Sequence, residues 1–180
     1  LIREAGRPVK VLNLFAYTGG ATLSAAAAGA AVTHVDASKG MVLWGKENAE
    51  ASGVTHKNVR WLVDDCMKFV KREIRRGKRY DAIIMDPPSY GRGPNGEVWK
   101  LEQQLSELLS DVGKLLSDDP LFFFFNSYTG GLSPTILNYM VRKNVVDSSD
   151  VFTDEIGLKI TCRDIVLPCG ATTVWMKNNG

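Results

Sequence analysis

Short apolar runs alternate along this chain with longer stretches whose apolar residues recur at helical spacing. The runs at 9–14, 31–35 and 59–63 are rich in β-branched residues and predict strands, as do the runs at 80–85 and 121–125. Strands that are apolar throughout and separated by helices predict a mostly parallel sheet covered on both faces. Helical spacing predicts five helices, at 21–28, 39–52, 67–76, 98–116 and 134–143.

The end of the chain has a different pattern. Two strands are predicted within 156–177, joined through Pro168, Cys169 and Gly170, which indicates a hairpin. The predicted fold class is therefore α/β: a doubly wound, mostly parallel seven-stranded sheet with a C-terminal antiparallel hairpin. In such sheets ligands bind beyond the carboxyl ends of the strands, so functional residues are expected in the loops that follow them.

Length and composition suit one globular domain spanning residues 1–180, with 44% hydrophobic and 23% charged residues. The chain begins at Leu1 and runs almost at once into a core-like strand, so we expect it to be the C-terminal part of a longer protein. No apolar stretch approaches the roughly 18 residues of a membrane span, and no signal peptide is recognisable. These features predict a cytoplasmic protein without a membrane partner and leave its oligomeric state open.

Cysteine and histidine usage bears on metals and redox chemistry. Cys66, Cys162 and Cys169, with His34 and His56, are too few and too scattered for a disulfide framework or a zinc site. We therefore expect reduced thiols and no metal.

The net charge of +2 is too small to indicate a nucleic-acid partner by itself. Its distribution is uneven, because seven basic residues fall within twelve positions with Glu73 as the only acid among them. A solvated helix face and a phosphate-contacting surface are equally open interpretations. The basic residues are Lys68, Lys71, Arg72, Arg75, Arg76, Lys78 and Arg79.

The loop after the first strand must turn sharply into a helix. Its glycines permit positive φ and let a ligand approach the backbone closely. It has neither the Gly-x-Gly-x-x-Gly dinucleotide spacing nor the Lys-Ser/Thr ending of a phosphate loop, which argues against NAD and ATP. A plain strand-to-helix turn is the alternative to a cofactor loop. The loop consists of Phe15, Ala16, Tyr17, Thr18, Gly19 and Gly20.

Acidic residues close the next two strands. Asp36 lies sixteen residues beyond Gly20, where a carboxylate can accept hydrogen bonds from both ribose hydroxyls of an adenosine. Its alternative role is a cap for the helix that begins near Lys39. Asp64 and Asp65 end the third strand, where an acid can accept a hydrogen bond from an adenine amino group. We favour Asp65 for adenine, and helix capping remains open for the other acid.

The tract Asp86-Pro87-Pro88-Ser89-Tyr90 after the fourth strand is the sharpest motif in the chain. Two successive prolines hold the backbone extended, so that the flanking carbonyls are expected to point into the cleft as acceptors. With the Asp86 side chain they can hold an amine or ring nitrogen in line with a methyl donor, while Tyr90 offers a face for stacking a base. Asp86, Pro87, Pro88 and Tyr90 are the predicted catalytic residues; the alternative is a rigid loop without a ligand.

Two further loops are expected at the same rim. The polar segment 91–96 contains Arg92 and predicts a lid or substrate-facing segment, with an ordinary surface loop equally open. The segment 126–129 follows the fifth strand and is placed to contact a substrate, although Asn126 alternatively ties down its own loop. The predicted substrate-binding residues are Ser89, Tyr90, Arg92, Asn126 and Tyr128.

Together these motifs resemble those of a known family, the class I methyltransferases similar to bacterial large-subunit ribosomal RNA methyltransferases that modify cytosine C5 or guanine N7. The matching segments follow the family's order between residues 9 and 132, and the Tyr-Thr-Gly-Gly turn and the Asp-Pro-Pro tract are the distinctive ones. The segments are Asn13-Leu14-Phe15-Ala16-Tyr17-Thr18-Gly19-Gly20, Val35-Asp36-Ala37-Ser38, Trp44 with Glu47-Asn48-Ala49, Asp64-Asp65-Cys66 and Asp86-Pro87-Pro88-Ser89-Tyr90.

The resemblance implies a Rossmann-like methyltransferase fold, S-adenosylmethionine as cofactor and RNA, ribosomal in kind, as partner. It places the methionine part of the cofactor in the first loop, the ribose at Asp36, the adenine at Asp65 and the target base at residues 86–90. It also implies an RNA-binding or accessory region ahead of this domain. The implied cofactor-binding residues are Phe15, Ala16, Tyr17, Thr18, Gly19, Gly20, Asp36, Ala37, Ser38, Asp64, Asp65, Cys66 and Asp86.

One departure from the family's pattern bears on the chemistry. The cytosine-C5 enzymes that it resembles attack C6 with a cysteine in the loop after the fifth strand, but that loop here is Asn126-Ser127-Tyr128-Thr129. A serine hydroxyl is far less ionised than a thiol near neutral pH, and Cys66 falls in the expected adenine subsite. The predicted reaction is therefore direct methyl transfer to a ring or amino nitrogen of a base in ribosomal RNA.

Other functions remain open at this point. One is methylation of cytosine C5, of a protein or of a small molecule. A nicotinamide-dependent oxidoreductase is disfavoured by the glycine spacing. A non-catalytic RNA-binding domain is disfavoured because Asp36, Asp65 and Asp86 are all present.

Overall fold

The computed structural model describes residues 1–54, 58–92 and 98–177, which form an α/β fold. Strands and helices alternate through the first two thirds of the chain, and two long strands follow. In chain order the elements are β1 Lys10–Leu14, α1 Gly20–Ala27, β2 Ala31–Asp36, α2 Lys39–Ala51, β3 Val59–Val63, α3 Cys66–Arg75, β4 Ala82–Met85, β5 Tyr90–Arg92, β6 Val98–Lys100, α4 Leu101–Gly113, β7 Phe122–Ser127, α5 Pro134–Asn144, β8 Phe152–Lys159 and β9 Val166–Met176.

The central sheet contains seven strands in the order β3-β2-β1-β4-β7-β9-β8. The first five of these are parallel to their neighbours, whereas β9 pairs antiparallel with both β7 and β8. The chain moves outward from β1 to β3 and then returns to β4 on the other side of β1. The predicted fold class is confirmed, and the β1/β4 position is the point at which such a sheet binds its ligand.

The four phenylalanines of β7 show how the sheet is buried on both faces. Phe123 and Phe125 are fully buried and join the core cluster that includes residues of α3, α4 and α5. Phe122 and Phe124 face the opposite layer, where the alanines of α1 pack, and their rings meet edge to face at 5.4 Å. Successive side chains of a strand alternate between faces, so a central strand covered on both sides must be apolar throughout.

The helix predicted for 98–116 is wrong at its beginning. Residues Val98–Lys100 form β6, which pairs antiparallel with β5 in a separate two-stranded sheet, and α4 begins only at Leu101. The Trp99 indole N–H donates to the carbonyl of Pro88, and the ring packs against Phe15. These tertiary contacts hold residues 98–100 in an extended conformation, and helical periodicity in the sequence carries no information about such contacts.

The hairpin is confirmed, but its predicted turn is misplaced. Gly170 lies inside β9, and the chain reverses between Lys159 and Val166. A Cβ at Gly170 would lie 2.3 Å from the Ser127 carbonyl oxygen, and the residue has a φ of +147°. This glycine therefore marks the close approach of β9 to the end of β7 rather than a turn.

Candidate functional site

A cleft of about 640 Å³ opens beyond the carboxyl ends of the parallel strands, where the strand order reverses. The loops that follow β1, β2, β3, β4 and β7 all contribute to its walls. Most of the residues predicted for the site line it, as does Gly91 of the predicted lid segment, and Met67 and Trp99 line it without having been predicted. The lining residues are Phe15, Tyr17, Asp36, Ala37, Ser38, Asp65, Cys66, Met67, Asp86, Pro87, Pro88, Gly91, Arg92, Trp99 and Tyr128.

The loop after β1 has an unusual backbone. Phe15 and Tyr17 have φ of 53° and 48°, which is a strained left-handed conformation for side chains of this size, and Gly19 follows with a φ of 87°. The turn is held from neighbouring strands: the Ala16 N–H donates to the Val35 carbonyl at 3.1 Å. Ala16, Thr18, Gly19 and Gly20 thus shape the turn without lining the cleft, whereas Phe15 and Tyr17 face it.

Asp36 fixes this loop to the end of β2. One carboxylate oxygen accepts the Tyr17 N–H and the other accepts the Ser38 N–H, both at 2.8 Å. Helix α2 is capped by Ser38, whose hydroxyl accepts the Met41 N–H, so the alternative role of Asp36 as that cap is wrong. An ionised carboxylate has about four acceptor positions, which leaves Asp36 capacity for further donors.

The two acids after β3 have separate roles. Asp65 caps α3 by accepting the Lys68 N–H at 2.8 Å, and it also lines the cleft. Asp64 forms an ion pair with Arg72 and does not line the cleft. The preference for Asp65 as the ligand-facing acid therefore agrees with its position, and capping and cleft lining coincide in one residue.

Cys66 connects three of these loops. Its buried thiol accepts the Phe15 N–H at 3.3 Å and donates to the Val35 carbonyl at 3.8 Å. Burial raises the pKa of the Cys66 thiol far above its ordinary value, so the sulfur remains protonated. Since only a thiolate is an effective nucleophile, Cys66 braces the strained loop rather than attacking a substrate.

Asp86 lines the cleft directly after β4. Its Oδ1 is buried and has no hydrogen-bond partner among the described residues. Burial raises the pKa of Asp86, and a hydrogen bond from the Tyr128 hydroxyl opposes that rise. A buried acceptor without a donor costs about 1–3 kcal/mol, so the fold keeps this carboxylate at the cleft at a cost in stability.

The proline carbonyls were expected to serve as free acceptors, and for Pro88 this is wrong. The Trp99 Nε1–H donates to the Pro88 carbonyl at 2.6 Å, and the Trp99 ring lies 5.3 Å from that of Phe15. Helical periodicity gave no indication that Trp99 lies in a strand beside the cleft. The available indication was that Val98 and Trp99, two residues that favour strands, precede a polar helix.

Three predicted substrate residues lie outside the cleft lining. Ser89 accepts a hydrogen bond from Thr129 at 2.8 Å, which ties the loop after β4 to the loop after β7. The Tyr90 ring is 51% exposed at the rim, and its hydroxyl accepts from Arg92, which does line the cleft. Asn126 lies within β7, opposite Thr172. Residues 93–96 of the predicted lid lie outside the described residues.

A family model described as S-adenosylmethionine-dependent methyltransferase matches residues 1–123. The chain belongs to this family. The resemblance inferred from the motifs, the enzyme class and S-adenosylmethionine as cofactor are thereby confirmed, and the nicotinamide-dependent interpretation is wrong.

Two relatives match about 70% of this methyltransferase and a much smaller share of their own length. It is 33% identical over 129 residues to the ribosomal RNA large subunit methyltransferase K/L of Shewanella frigidimarina, across 71% of this chain and 18% of that protein. It is 30% identical over 128 residues to the large subunit methyltransferase K of Neisseria meningitidis, across 70% of this chain and 36% of that protein.

A solved structure extends the likeness to almost the whole chain. The SAM-dependent methyltransferase from Agrobacterium tumefaciens has 40% sequence identity and a TM-score of 0.90, across 97% of this chain and 58% of that one. The methyltransferase described here thus spans about a fifth to three fifths of the length of these relatives. Within its described part, no helix has the length and apolar character needed to cross a membrane.

The cleft fits an S-adenosylmethionine molecule. Its volume of about 640 Å³ lies within the usual range of roughly 300–1,000 Å³ for small-molecule sites. Asp36 offers acceptor positions beyond those used by the backbone, as ribose hydroxyls require. Asp65 and Cys66 line the cleft after β3, and Asp86, whose buried Oδ1 has no hydrogen-bond partner among the described residues, lines it after β4.

Proposed function

We propose that this methyltransferase transfers a methyl group to a nitrogen of a nucleobase in large-subunit ribosomal RNA. The observation that carries the proposal is the Asp86 carboxylate, which lines the cofactor cleft and has one oxygen without a partner among the described residues. A nucleobase presents N–H donors of the kind that such an oxygen accepts. The two ribosomal RNA methyltransferases that match 70% and 71% of this chain support RNA as the substrate class.

The cofactor supplies an electrophilic methyl group, and the chain's residues supply position. Asp36 would hold the ribose hydroxyls, Asp65 the adenine amino group, and the turn at Phe15 and Tyr17 the methionine part. Asp86 would accept an N–H of the target base and so direct the reacting nitrogen at the methyl carbon. Because the prolines fix the backbone on which Asp86 stands, the orientation is established before the base arrives.

The cysteines favour nitrogen over cytosine C5. Cys66 is buried, bonded on both sides and protonated. Cys162 and Cys169 belong to the β8–β9 hairpin, and the Cys169 thiol donates to the Leu167 carbonyl at 3.3 Å. β7 ends at Ser127, which is 2% exposed, and the loop that follows begins with Tyr128 and Thr129 and contains no thiol. Methylation at C5 requires a thiolate nucleophile in the site, and none of these side chains supplies one there.

The two nitrogen classes differ in what they require of Asp86. A ring nitrogen such as guanine N7 has no proton to lose, and Asp86 would then only read another N–H of the same base. An exocyclic amine must lose a proton, and the Asp86 carboxylate would accept its hydrogen bond until that proton is released to solvent. At the rim, the exposed ring of Tyr90 and the Arg92 guanidinium would contact the neighbouring nucleotides.

The direct test is to incubate the protein and labelled S-adenosylmethionine with ribosomal RNA from a strain that lacks the protein. Mass spectrometry of the digested nucleosides then identifies the methylated atom. We expect one base methylated on nitrogen, and roughly a hundredfold slower formation of that product with Asp86→Ala. Label in C5-methylcytidine, label in ribosomal protein, or no transfer to any RNA would each contradict the proposal.

A further inference from the structure

Six of the seven basic residues around α3 separate into two groups in the structure. Arg75, Lys78 and Arg79 are exposed and form no ion pair with a described acid. Three others are paired with acids and are thereby accounted for: Lys71 with Glu107, Arg72 with Asp64, and Arg76 with Glu73.

Lys78 and Arg79, which follow the end of α3, line a second cavity. It has a volume of about 640 Å³ and lies at the amino ends of β1, β2 and β3, on the sheet edge opposite the cofactor cleft. Four exposed basic side chains from three places in the chain line it: Lys10 at the start of β1, Arg60 near the start of β3, and Lys78 and Arg79 in the turn that leads to β4.

Glu73 is the acid that lines this cavity, and both of its carboxylate oxygens already accept hydrogen bonds. Glu73 is 1% exposed; one oxygen accepts the Tyr80 hydroxyl at 2.8 Å and the other accepts from Arg76 at 3.2 Å. No acid among the described residues pairs with Lys10 or Arg60. Cations near a helix C-terminus are stabilised by the helix dipole, which accounts for Arg75 but not for two cations that come from strands. The cavity thus collects positive charge that the fold itself does not require.

We propose that this basic cavity binds phosphate groups of the RNA backbone, as a second contact of the substrate. The inference rests on the proposed function, which makes RNA the substrate. Helix α3 begins at Cys66 in the cofactor cleft and ends at Arg75 beside the cavity, and ten helical residues span about 15 Å. An RNA whose target base enters the cleft reaches the cavity by following this helix. Such contacts fix the position of the RNA without reading its sequence.

The test compares two double variants that each remove one lysine and one arginine at adjacent positions. Lys78→Gln with Arg79→Gln changes the cavity, and Arg142→Gln with Lys143→Gln changes the exposed face of α5, which packs against β8 and β9. Binding of protein-free ribosomal RNA is measured by fluorescence anisotropy at several salt concentrations. Calorimetric titration with S-adenosylmethionine verifies that both variants retain the cofactor cleft.

We expect the cavity variant to bind RNA at least fivefold more weakly at low salt, with unchanged cofactor affinity. The slope of log K against log salt should fall by about 1.5, since each phosphate contact contributes about 0.7–0.9. The α5 variant should keep the slope of the unmodified protein. Equal slopes in all three proteins, or an equal fall in both variants, would overturn the inference.

Two further measurements, of inorganic phosphate binding and of methyl transfer, distinguish RNA binding from binding of a free anion and from the proposed function. If inorganic phosphate binds the cavity tightly while the cavity variant keeps full RNA affinity, the site serves a free anion and the inference is overturned. If the unmodified protein binds ribosomal RNA with the expected slope difference but transfers no methyl group to it, the docking inference stands and the proposed function alone fails.

Discussion

The indole N–H of Trp99 donates a hydrogen bond to the carbonyl of Pro88 at 2.6 Å, and the same ring packs against Phe15 at 5.3 Å. One side chain therefore contacts the loop that carries Asp86 and the strained turn that faces the cofactor. It comes from β6, outside the central sheet. Through these two contacts Trp99 links the loop after β4 to the loop after β1.

Trp99→Phe removes the indole donor and keeps an aromatic ring against Phe15. We expect turnover on RNA to fall about fivefold, the size of one net hydrogen bond, with little change in cofactor affinity. Trp99→Ala should in addition weaken the binding of S-adenosylmethionine. Steady-state kinetics and calorimetry separate the two effects. Full turnover in Trp99→Phe would show that the bond to Pro88 does not position the loop.

Asp36 is the second testable position, because its two oxygens hold the loop after β1 and leave acceptor capacity. Asp36→Ala should weaken S-adenosylmethionine binding more than tenfold, as expected for loss of charge-assisted hydrogen bonds. Asp36→Asn keeps one acceptor oxygen, so its affinity for S-adenosylmethionine should lie between that of the unmodified protein and that of Asp36→Ala. Asp147→Ala, which removes an exposed acid that does not line the cleft, serves as the control. Unchanged cofactor affinity in Asp36→Ala would exclude it from the site.

The fold and most of the cleft were accessible from the sequence for a physical reason. Parallel strands bring their following loops to one edge, so Asp36, Asp65 and Asp86 could be placed together from strand order alone. Trp99 could not be placed, because its role depends on a contact between two residues eleven positions apart with no periodic signal. Gly170 was wrongly predicted to lie in the turn for a similar reason. A glycine is needed there because the Ser127 carbonyl of another strand lies too close for a side chain.

The buried histidine predicts a pH dependence of stability. His34 Nδ1 contacts the Thr22 hydroxyl at 2.9 Å, and that hydroxyl accepts from Asn13 at 2.9 Å. Burial lowers the pKa of His34 from 6.5 to about 4. Between pH 4 and 6.5 the unfolded chain therefore binds a proton that the folded chain does not. Stability should rise with pH across this window, by about 3 kcal/mol at most, and be lost as the pH falls.

Urea unfolding of the unmodified protein and of His34→Gln at pH 4.5, 5.5 and 6.5 tests this contribution. The variant should be less stable at pH 6.5 and should show a shallower dependence on pH. The difference in slope between the two proteins isolates His34 from carboxylates that titrate in both. Parallel curves would mean that His34 keeps its ordinary pKa in the fold.

The cysteines should be dispensable for chemistry. Replacing Cys162 or Cys169 with serine should leave turnover within a few-fold, since neither lies in the cofactor cleft. Cys66→Ser should also retain turnover within a few-fold while lowering the melting temperature, because the buried thiol holds Phe15 and Val35. Denaturing gels detect a covalent enzyme–RNA adduct. An adduct that disappears with one of these variants would restore C5 methylation.

Asp86 gives the last prediction, which combines a rate and a pH profile. Asp86→Ala should lower turnover by roughly a hundredfold, because misplacement of a reacting atom by about 1 Å can cost that much, while cofactor binding survives. The carboxylate form accepts the N–H of the base, and burial raises the pKa of Asp86. Activity should therefore fall on the acid side, at a pH above the ordinary aspartate pKa of about 3.9.

Two variants test whether Asp86 itself produces this acid limb. Asp86→Asn keeps an acceptor oxygen but cannot titrate, so the limb should disappear. Tyr128→Phe removes the hydroxyl whose hydrogen bond lowers the pKa of Asp86, so the limb should move to higher pH. Both are measured as kcat/KM against pH on the same RNA. A limb that persists in Asp86→Asn and stays in place in Tyr128→Phe would assign the titration to another group and remove Asp86 from the reacting centre.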